Sequence, residues 1–234
     1  MKKKIAIFDL DGTLCELRGG IRTEDKKLLQ ELGKKGMKLA ICSGKPVSYL
    51  SGLTRQLEIN DMILMGENGS VIQFGGIYPP DMVCTLPYSR KVKKALRQIQ
   101  EDLEELLPDV WFQPNNVVVT PFPRKEEDFE VIRNYLDQHE DLLEGVEIFR
   151  HVDCFDLVPT GMTKYDGLSK LTELTGIAPE EMVAIGNGVN DIPMFNYAGL
   201  ALGIGLYGQP EVDKNFDSIT EVLQYLIDDV CCCY

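Results

Sequence analysis

Lys4-Ile5-Ala6-Ile7-Phe8-Asp9-Leu10-Asp11-Gly12-Thr13 is the stretch whose reading decides the fold. Its first half is an apolar run with β-branched residues, the pattern of a buried strand. The run is broken by two aspartates one residue apart and then a glycine, so the strand is expected to end in a tight turn. In an open α/β sheet such a tip lies at the carboxyl edge, where ligands bind. Asp9 and Asp11 swung into one crevice would repel, and one of them would take up a proton. A divalent cation removes that conflict, and hard oxygen donors point to Mg²⁺.

Outward from this tip, apolar runs alternate with amphipathic ones. A helix is predicted over about 24–35, capped by Thr23, with Glu24 and Asp25 early, Lys34-Lys35 late and Gly36 as its stop. Lys38–Cys42 reads as a strand, Pro46 opens a helix with Leu50, Leu53 and Leu57 on one face, and Met62–Met65 reads as a further strand. This β-α-β-α-β rhythm predicts a doubly wound, mostly parallel, Rossmann-like α/β sheet. Val71–Phe74, Gly75-Gly76 and Ile77-Tyr78 read as a hairpin closed by a two-residue glycine turn, ended by Pro79-Pro80.

The rhythm then changes. A charged helix over about 88–107 carries Val92, Leu96, Ile99, Leu103 and Leu106 on one stripe. Two short strands, Val110–Gln113 and Asn116–Thr120, a helix near 126–138 and a strand near 146–150 complete an α-β-β-α-β pattern. Residues 82–151 are therefore expected to be an inserted small α+β domain, with 1–81 and 152–234 as the core. Trp111, Phe112 and Phe122 are expected in the interior of the insert. After it, Phe155–Val158 and Met182–Ile185 read as strands of the first rhythm, with a helix capped by Thr163 and ended at Gly176 between them. A glycine-rich turn, a helix near 190–198, the strand Leu200–Ile204 and a helix near 220–229 close the chain.

Over 234 residues the formal charge is −13. Neither nucleic acid nor an anionic membrane attracts such a surface, so neither is expected as a partner. The apolar run after Lys2-Lys3-Lys4 is too short for a signal peptide, and no stretch is long and apolar enough to span a bilayer, so a soluble cytoplasmic protein is expected. Seven cysteines without a CxxC pair read as thiols of a reducing compartment. The terminal Cys231-Cys232-Cys233 run reads as a frayed tail.

Asp9-Leu10-Asp11-Gly12-Thr13 resembles the nucleophile motif of the haloacid dehalogenase superfamily, most of whose members are phosphatases. Three more signatures follow in order. Ser43-Gly44 ends the second strand as that family's phosphate-binding residue does. Thr163-Lys164 resembles its lysine motif, and Gly186-Asn187-Gly188-Val189-Asn190-Asp191 its acidic metal loop. The insert lies in the C2-type cap position, and with Glu67-Asn68-Gly69-Ser70 before it the chain looks like a Cof-type member. It resembles short phosphoglycolate phosphatases and sugar phosphatases.

The resemblance implies a Mg²⁺-dependent phosphatase of a small phosphorylated metabolite, acting as a monomer or homodimer. Asp9 would be the nucleophile and form an aspartyl-phosphate; Asp11 would be general acid and then base. Ser43, Gly44, Lys164 and Asn190 would hold the phosphoryl group, and Asp9, Asp11, Asn187 and Asp191 the metal. Lys164 sits at a helix start, misplaced relative to the dipole, which suits a charge meant for the phosphoryl group and Asp9. The chain departs from the family at Asn187, where most relatives have Asp; the loss of a charge should weaken Mg²⁺ or shift the burden to Asp191. A phosphomannomutase-like phosphotransferase and a catalytically weak, phospholigand-binding relative are the alternatives.

Overall fold

The computed structural model describes residues 2–17 and 19–231. In chain order β1 (Ile5–Phe8), α1 (Thr23–Lys34), β2 (Lys38–Cys42), α2 (Val47–Leu57), β3 (Ile63–Gly66), β4 (Val71–Phe74) and β5 (Met82–Thr85) come first. They are followed by α3 (Arg90–Leu106), β6 (Trp111–Phe112), β7 (Pro121–Phe122), α4 (Glu126–Gln138), β8 (Val146–Arg150) and β9 (Phe155–Pro159). The chain ends with α5 (Lys164–Thr175), β10 (Met182–Gly186), α6 (Ile192–Tyr197), β11 (Ala201–Ile204), β12 (Lys214–Phe216) and α7 (Ile219–Tyr225). Two compact units result, one of Met1–Thr85 with Thr163–Tyr234 and one of Leu86–Met162.

The larger unit is built on an eight-stranded sheet in the order β12-β11-β10-β1-β2-β3-β4-β5. The strands from β12 to β3 are parallel, while β4 runs antiparallel to both of its neighbours. Parallel strands covered by helices on both faces must be apolar throughout, and Ile5, Ala6, Ile7 and Phe8 are each fully buried. Ile5, Ile7, Ala40, Ile63, Met65, Leu168 and Met182 form a core beneath α5 and α6. Register then decides where the site falls. Phe8 pairs with Ile41 on one side and Ile185 on the other, so the tips of β1, β2 and β10 end level. Strand order reverses direction between β10 and β1, the position at which doubly wound sheets open a crevice.

The smaller unit has a core of its own, made by Val92, Leu96, Ile99 and Leu103 of α3 and Phe129, Ile132 and Leu136 of α4 against Phe155 and Leu157. The predicted stripe on α3 stops one turn early, because Leu106 in the last turn is half exposed.

Several expectations are corrected. Residues 82–85 belong to the large sheet, where Met82 pairs with Phe74. Residues 155–159 leave it, pairing antiparallel with Val146–Arg150. The expected hairpin at Gly75-Gly76 is replaced by two longer connections, with β4 returning along β3. Gly76 is tied to the helical layer: its N–H donates to the Asn60 carbonyl, and its carbonyl accepts from the Ser51 and Thr54 hydroxyls. Asp81 closes the turn by donating its N–H to the Phe74 carbonyl. In place of the strand expected at Asn116–Thr120 there is an isolated bridge, Val119 to Leu157. Arg22, rather than Thr23, caps α1, and its guanidinium pairs with Asp25 at 2.8 Å. Trp111 is half exposed beside Phe122, with ring centres 5.2 Å apart, instead of filling the interior. β12 has no counterpart among the predicted elements.

Candidate active site

The turn after β1 carries the first two functional side chains. Gly12 adopts φ of +85°, a conformation that side chains disfavour, and space there is also lacking: a Cβ would come within 2.2 Å of the Asn187 amide nitrogen. Glycine at this position thus lets the loop after β10 close over the loop after β1. Asp9 is buried directly at the strand tip. Thr13, also buried, aims its hydroxyl back at Asp9 Oδ2 at 3.2 Å and at Asn187 Oδ1 at 2.9 Å.

Lys164 opens α5, whose first turn is fixed by Asp166 accepting from the Thr163 N–H and hydroxyl at 2.9 and 2.6 Å. Its side chain is almost wholly buried, and its ammonium donates to Asp9 Oδ1 at 2.7 Å and to Asp191 Oδ1 at 2.6 Å. The second oxygen of Asp191 accepts from the Asn187 and Gly188 N–H groups at 2.9 and 3.0 Å. Gly186 allows this, since a Cβ there would lie 2.4 Å from that oxygen. Asp191 therefore folds its own loop and steadies Lys164 at once, with both oxygens occupied.

Charge in this cluster is set by burial and mutual contact. Burial opposes the charge on Lys164, but Asp9 and Asp191 outweigh it and hold the ammonium above the ordinary lysine range. Burial pushes the Asp9 carboxyl up from the usual aspartate value, against the pull of Lys164. Two thiols flank the site. Burial, followed by Asp11 and Asp9, pushes Cys15 up to about 11, and burial pushes Cys42 up to about 12. Both are protonated at neutral pH, the form in which a thiol is not nucleophilic.

The remaining predicted residues lie on the same edge but make other contacts. Asp11 is partly exposed, and its Oδ2 pairs with Lys45 Nζ at 3.3 Å. Ser43 is buried, donates its N–H to the Met65 carbonyl, and accepts from the Lys45 N–H at 3.2 Å. Gly44 leads into α2, past Pro46 as the cap. Asn190 is exposed, with its carboxamide oxygen folded over Gly188 rather than into the Asp9–Lys164 cluster. Sequence reasoning passed over Thr13 and Lys45. Thr13 was visible as a hydroxyl within the aspartate motif, and Lys45 only as a cation two residues beyond Ser43.

The residues present suit a hard cation. Asp9 Oδ2 and Asn187 Oδ1 both converge on the Thr13 hydroxyl, at 3.2 and 2.9 Å, which sets the two oxygens side by side. Two oxygen donors, one charged, are what magnesium asks of a protein when phosphate and water complete its shell.

Comparison with known proteins agrees with this architecture. The family model for haloacid dehalogenase-like hydrolases matches residues 6–98 and 88–222. The chain is 25% identical over 236 residues to a 5-amino-6-(5-phospho-D-ribitylamino)uracil phosphatase of Bacillus subtilis, covering 87% of each protein. It is 26% identical over 204 residues to a phosphoglycolate phosphatase of Methanococcoides burtonii, covering 87% of this chain and 84% of that protein. A haloacid dehalogenase-like hydrolase from Bacteroides thetaiotaomicron superposes with a TM-score of 0.75 at 20% identity, over 96% of this chain and all of that one. The chain thus belongs to the haloacid dehalogenase-like hydrolase family, as an enzyme of its phosphatase kind.

Proposed function

We propose that this protein is a Mg²⁺-dependent phosphatase that cleaves a small phosphorylated metabolite through an aspartyl-phosphate on Asp9. The observation that carries this reading is the cross-braced carboxylate. Asp9 stands at a level strand tip, and Lys164, itself anchored by Asp191, holds one of its oxygens at 2.7 Å. A nucleophile fixed in this way has already surrendered the rotational freedom it would otherwise lose in the transition state.

The chemistry follows from the placements. One carboxylate oxygen of Asp9 attacks phosphorus, and the bond from phosphorus to the leaving oxygen breaks. Asp11, the more exposed aspartate, gives that oxygen its proton and then accepts one from the water that hydrolyses the acyl phosphate. Lys164 and the Ser43 hydroxyl offset charge on the phosphoryl oxygens. Asp9 and Asn187 would hold the metal, with Asp191 acting through the loop and Lys164. When bound, magnesium supplies the positive charge that three carboxylates and a phosphate need in one crevice. The inserted unit would serve as the cap that selects the leaving group and keeps bulk water away. Phosphoglycolate, sugar phosphates and other small phosphomonoesters are the substrate class that the similarities favour.

The test is hydrolysis of a generic aryl phosphate with and without Mg²⁺, followed by a panel of phosphorylated metabolites. Metal-dependent phosphate release that vanishes in Asp9→Asn is expected. Release retained by that variant would sink the assignment of the nucleophile. Isomerised sugar phosphate in place of free phosphate would favour a mutase.

A further inference from the structure

Residues 67–69 form a turn that the mechanism above does not use. Glu67, Asn68 and Gly69 follow β3 with φ of 54°, 57° and 90°, three successive residues in the left-handed region, two of them bearing side chains. Such a run persists only where its surroundings impose it, and it gathers at sites of function. Here the surroundings are parts of the candidate site. The Asn68 N–H donates to the Ser43 carbonyl at 2.9 Å, and the Glu67 N–H to the Lys45 carbonyl at 3.0 Å. On its other side the turn meets the first turn of α5. A Cβ on Gly167 would lie 2.8 Å from Gly69 Cα, and one on Gly69 would lie 3.4 Å from the Thr163 carbonyl. The turn is thus wedged between the serine loop and the helix that begins with Lys164.

What this strain achieves is the presentation of one side chain. From Met62 to Gln73 every residue is buried except Asn68. Its carboxamide lies beside Gly44, with the oxygen and nitrogen 3.7 and 3.8 Å from where a Cβ on Gly44 would stand. A Cβ on residue 44 would stand in ordinary van der Waals contact with this carboxamide, so Asn68 directly borders the turn that follows Ser43.

We propose that Asn68 is a ligand-contacting residue of this site, donating its amide N–H to an oxygen of the bound phosphoryl group or of product phosphate. A neutral amide is chemically suited to this place. It can donate to an anion, yet adds no charge beside Lys45 and Asp11, whose ion pair occupies the same edge. The proposal rests on the phosphatase reading, deepening it by one contact.

Equilibrium binding of inorganic phosphate in the presence of Mg²⁺, followed by calorimetry, tests it without requiring turnover. Asn68→Gly removes the carboxamide while fitting the left-handed backbone at least as well as asparagine. Asn68→Asp keeps size and left-handed tolerance but points a negative charge at the anion. Phosphate affinity should fall about tenfold in Asn68→Gly, the loss of one hydrogen bond to a charged group, and further in Asn68→Asp. Thermal unfolding of the ligand-free Asn68→Gly protein should begin no earlier than in the parent.

Wild-type affinity in Asn68→Gly would overturn the proposal. So would an equal loss in both variants, which would signal a disturbed turn instead of a lost contact. A parent protein that binds phosphate but hydrolyses no ester would instead count against the phosphatase reading, and the Asn68 comparison would still decide the contact.

Discussion

The Asp9–Lys164–Asp191 cluster of the larger unit and the Asp156 cluster of the smaller one are both polar networks set against strands. In the first, one ammonium lies between two carboxylates and all three side chains are almost fully buried. In the second, Asp156 accepts from the Thr120 hydroxyl at 2.7 Å on one oxygen and faces His151 at 3.2 Å on the other. Asn115 in turn donates to Thr120, and Gln113 to Asn115. This chain grades from buried Thr120 outward to an exposed histidine. Water can replace a lost partner in the second network but not in the first. A polar contact therefore carries very different consequences in the two networks, depending on whether water can reach it.

The sharpest way to break that contrast is Lys164→Met. It leaves two carboxylates buried against each other, a loss worth about 3–5 kcal/mol of stability when the partner of a buried pair is removed. Activity on an aryl phosphate should fall by about 10²–10³-fold or more, as when a preorganised electrostatic contact is deleted. Chemical denaturation and steady-state kinetics read the two losses separately. Unchanged stability would show that the carboxylates find other partners or take up protons at little cost. His151→Gln in the smaller unit should change stability far less, because that side chain is nearly half exposed.

How much of this was legible beforehand depends on the element. β1 was plain, since a strand covered on both faces must be apolar at every position, and Ile5–Phe8 is. That same property misled at Phe155–Pro159. Its residues are all buried too, and full burial does not tell which sheet a strand joins. Met82–Thr85 failed for the opposite reason. As the last strand of the sheet it exposes Met82 and Val83, so no apolar pattern ties it to the strands before it. Within the site, motif spacing could name Asp9, Lys164 and Asp191 as residues at strand and helix ends. It could not assign partners. That Thr13 spans Asp9 and Asn187, or that Lys45 pairs with Asp11, depends on turn geometry at Gly12 and Gly66. Gly66 brings the Lys45–Val47 backbone close, since a Cβ there would meet the Val47 N–H at 2.7 Å.

Asn187→Asp sharpens the comparison by adding charge to the network that already holds the most. Without metal, the introduced carboxylate would face Asp9 across the Thr13 hydroxyl, so the ligand-free protein should melt earlier than the parent. Magnesium should reverse this, with affinity rising on the order of tenfold for one more charged oxygen ligand. A thermal-shift titration against Mg²⁺ reads both effects without turnover. Equal midpoints in parent and variant at all concentrations would show that position 187 touches neither Asp9 nor the ion.

Acidity distinguishes the two networks in a gentler way. Hydrogen bonding to Asp156 raises the His151 pKa above the ordinary histidine value, with burial opposing it. A group raised in the folded state contributes stability that is fully present below its unfolded pKa and is lost as pH climbs through the folded one. The stability difference between the parent and His151→Gln should therefore be largest at about pH 5 and fade towards pH 8. A difference that grows with pH would mean that the neutral imidazole is the bonded form.

The smallest effect concerns a group with no part in either network. Ser70 is fully buried beside the strained turn, and its hydroxyl has no hydrogen-bond partner among the described residues. A buried hydroxyl without a partner pays desolvation and receives nothing in return, so its removal should help. The backbone at this residue, φ of −65° and ψ of −24°, suits alanine as well as serine. Ser70→Ala is thus expected to stabilise the protein by about 1 kcal/mol or less, read as a later denaturation midpoint with an unchanged slope. Destabilisation would reveal a partner for the hydroxyl, such as an ordered water, and would place Ser70 in the polar framework that holds the Glu67–Gly69 turn against Ser43.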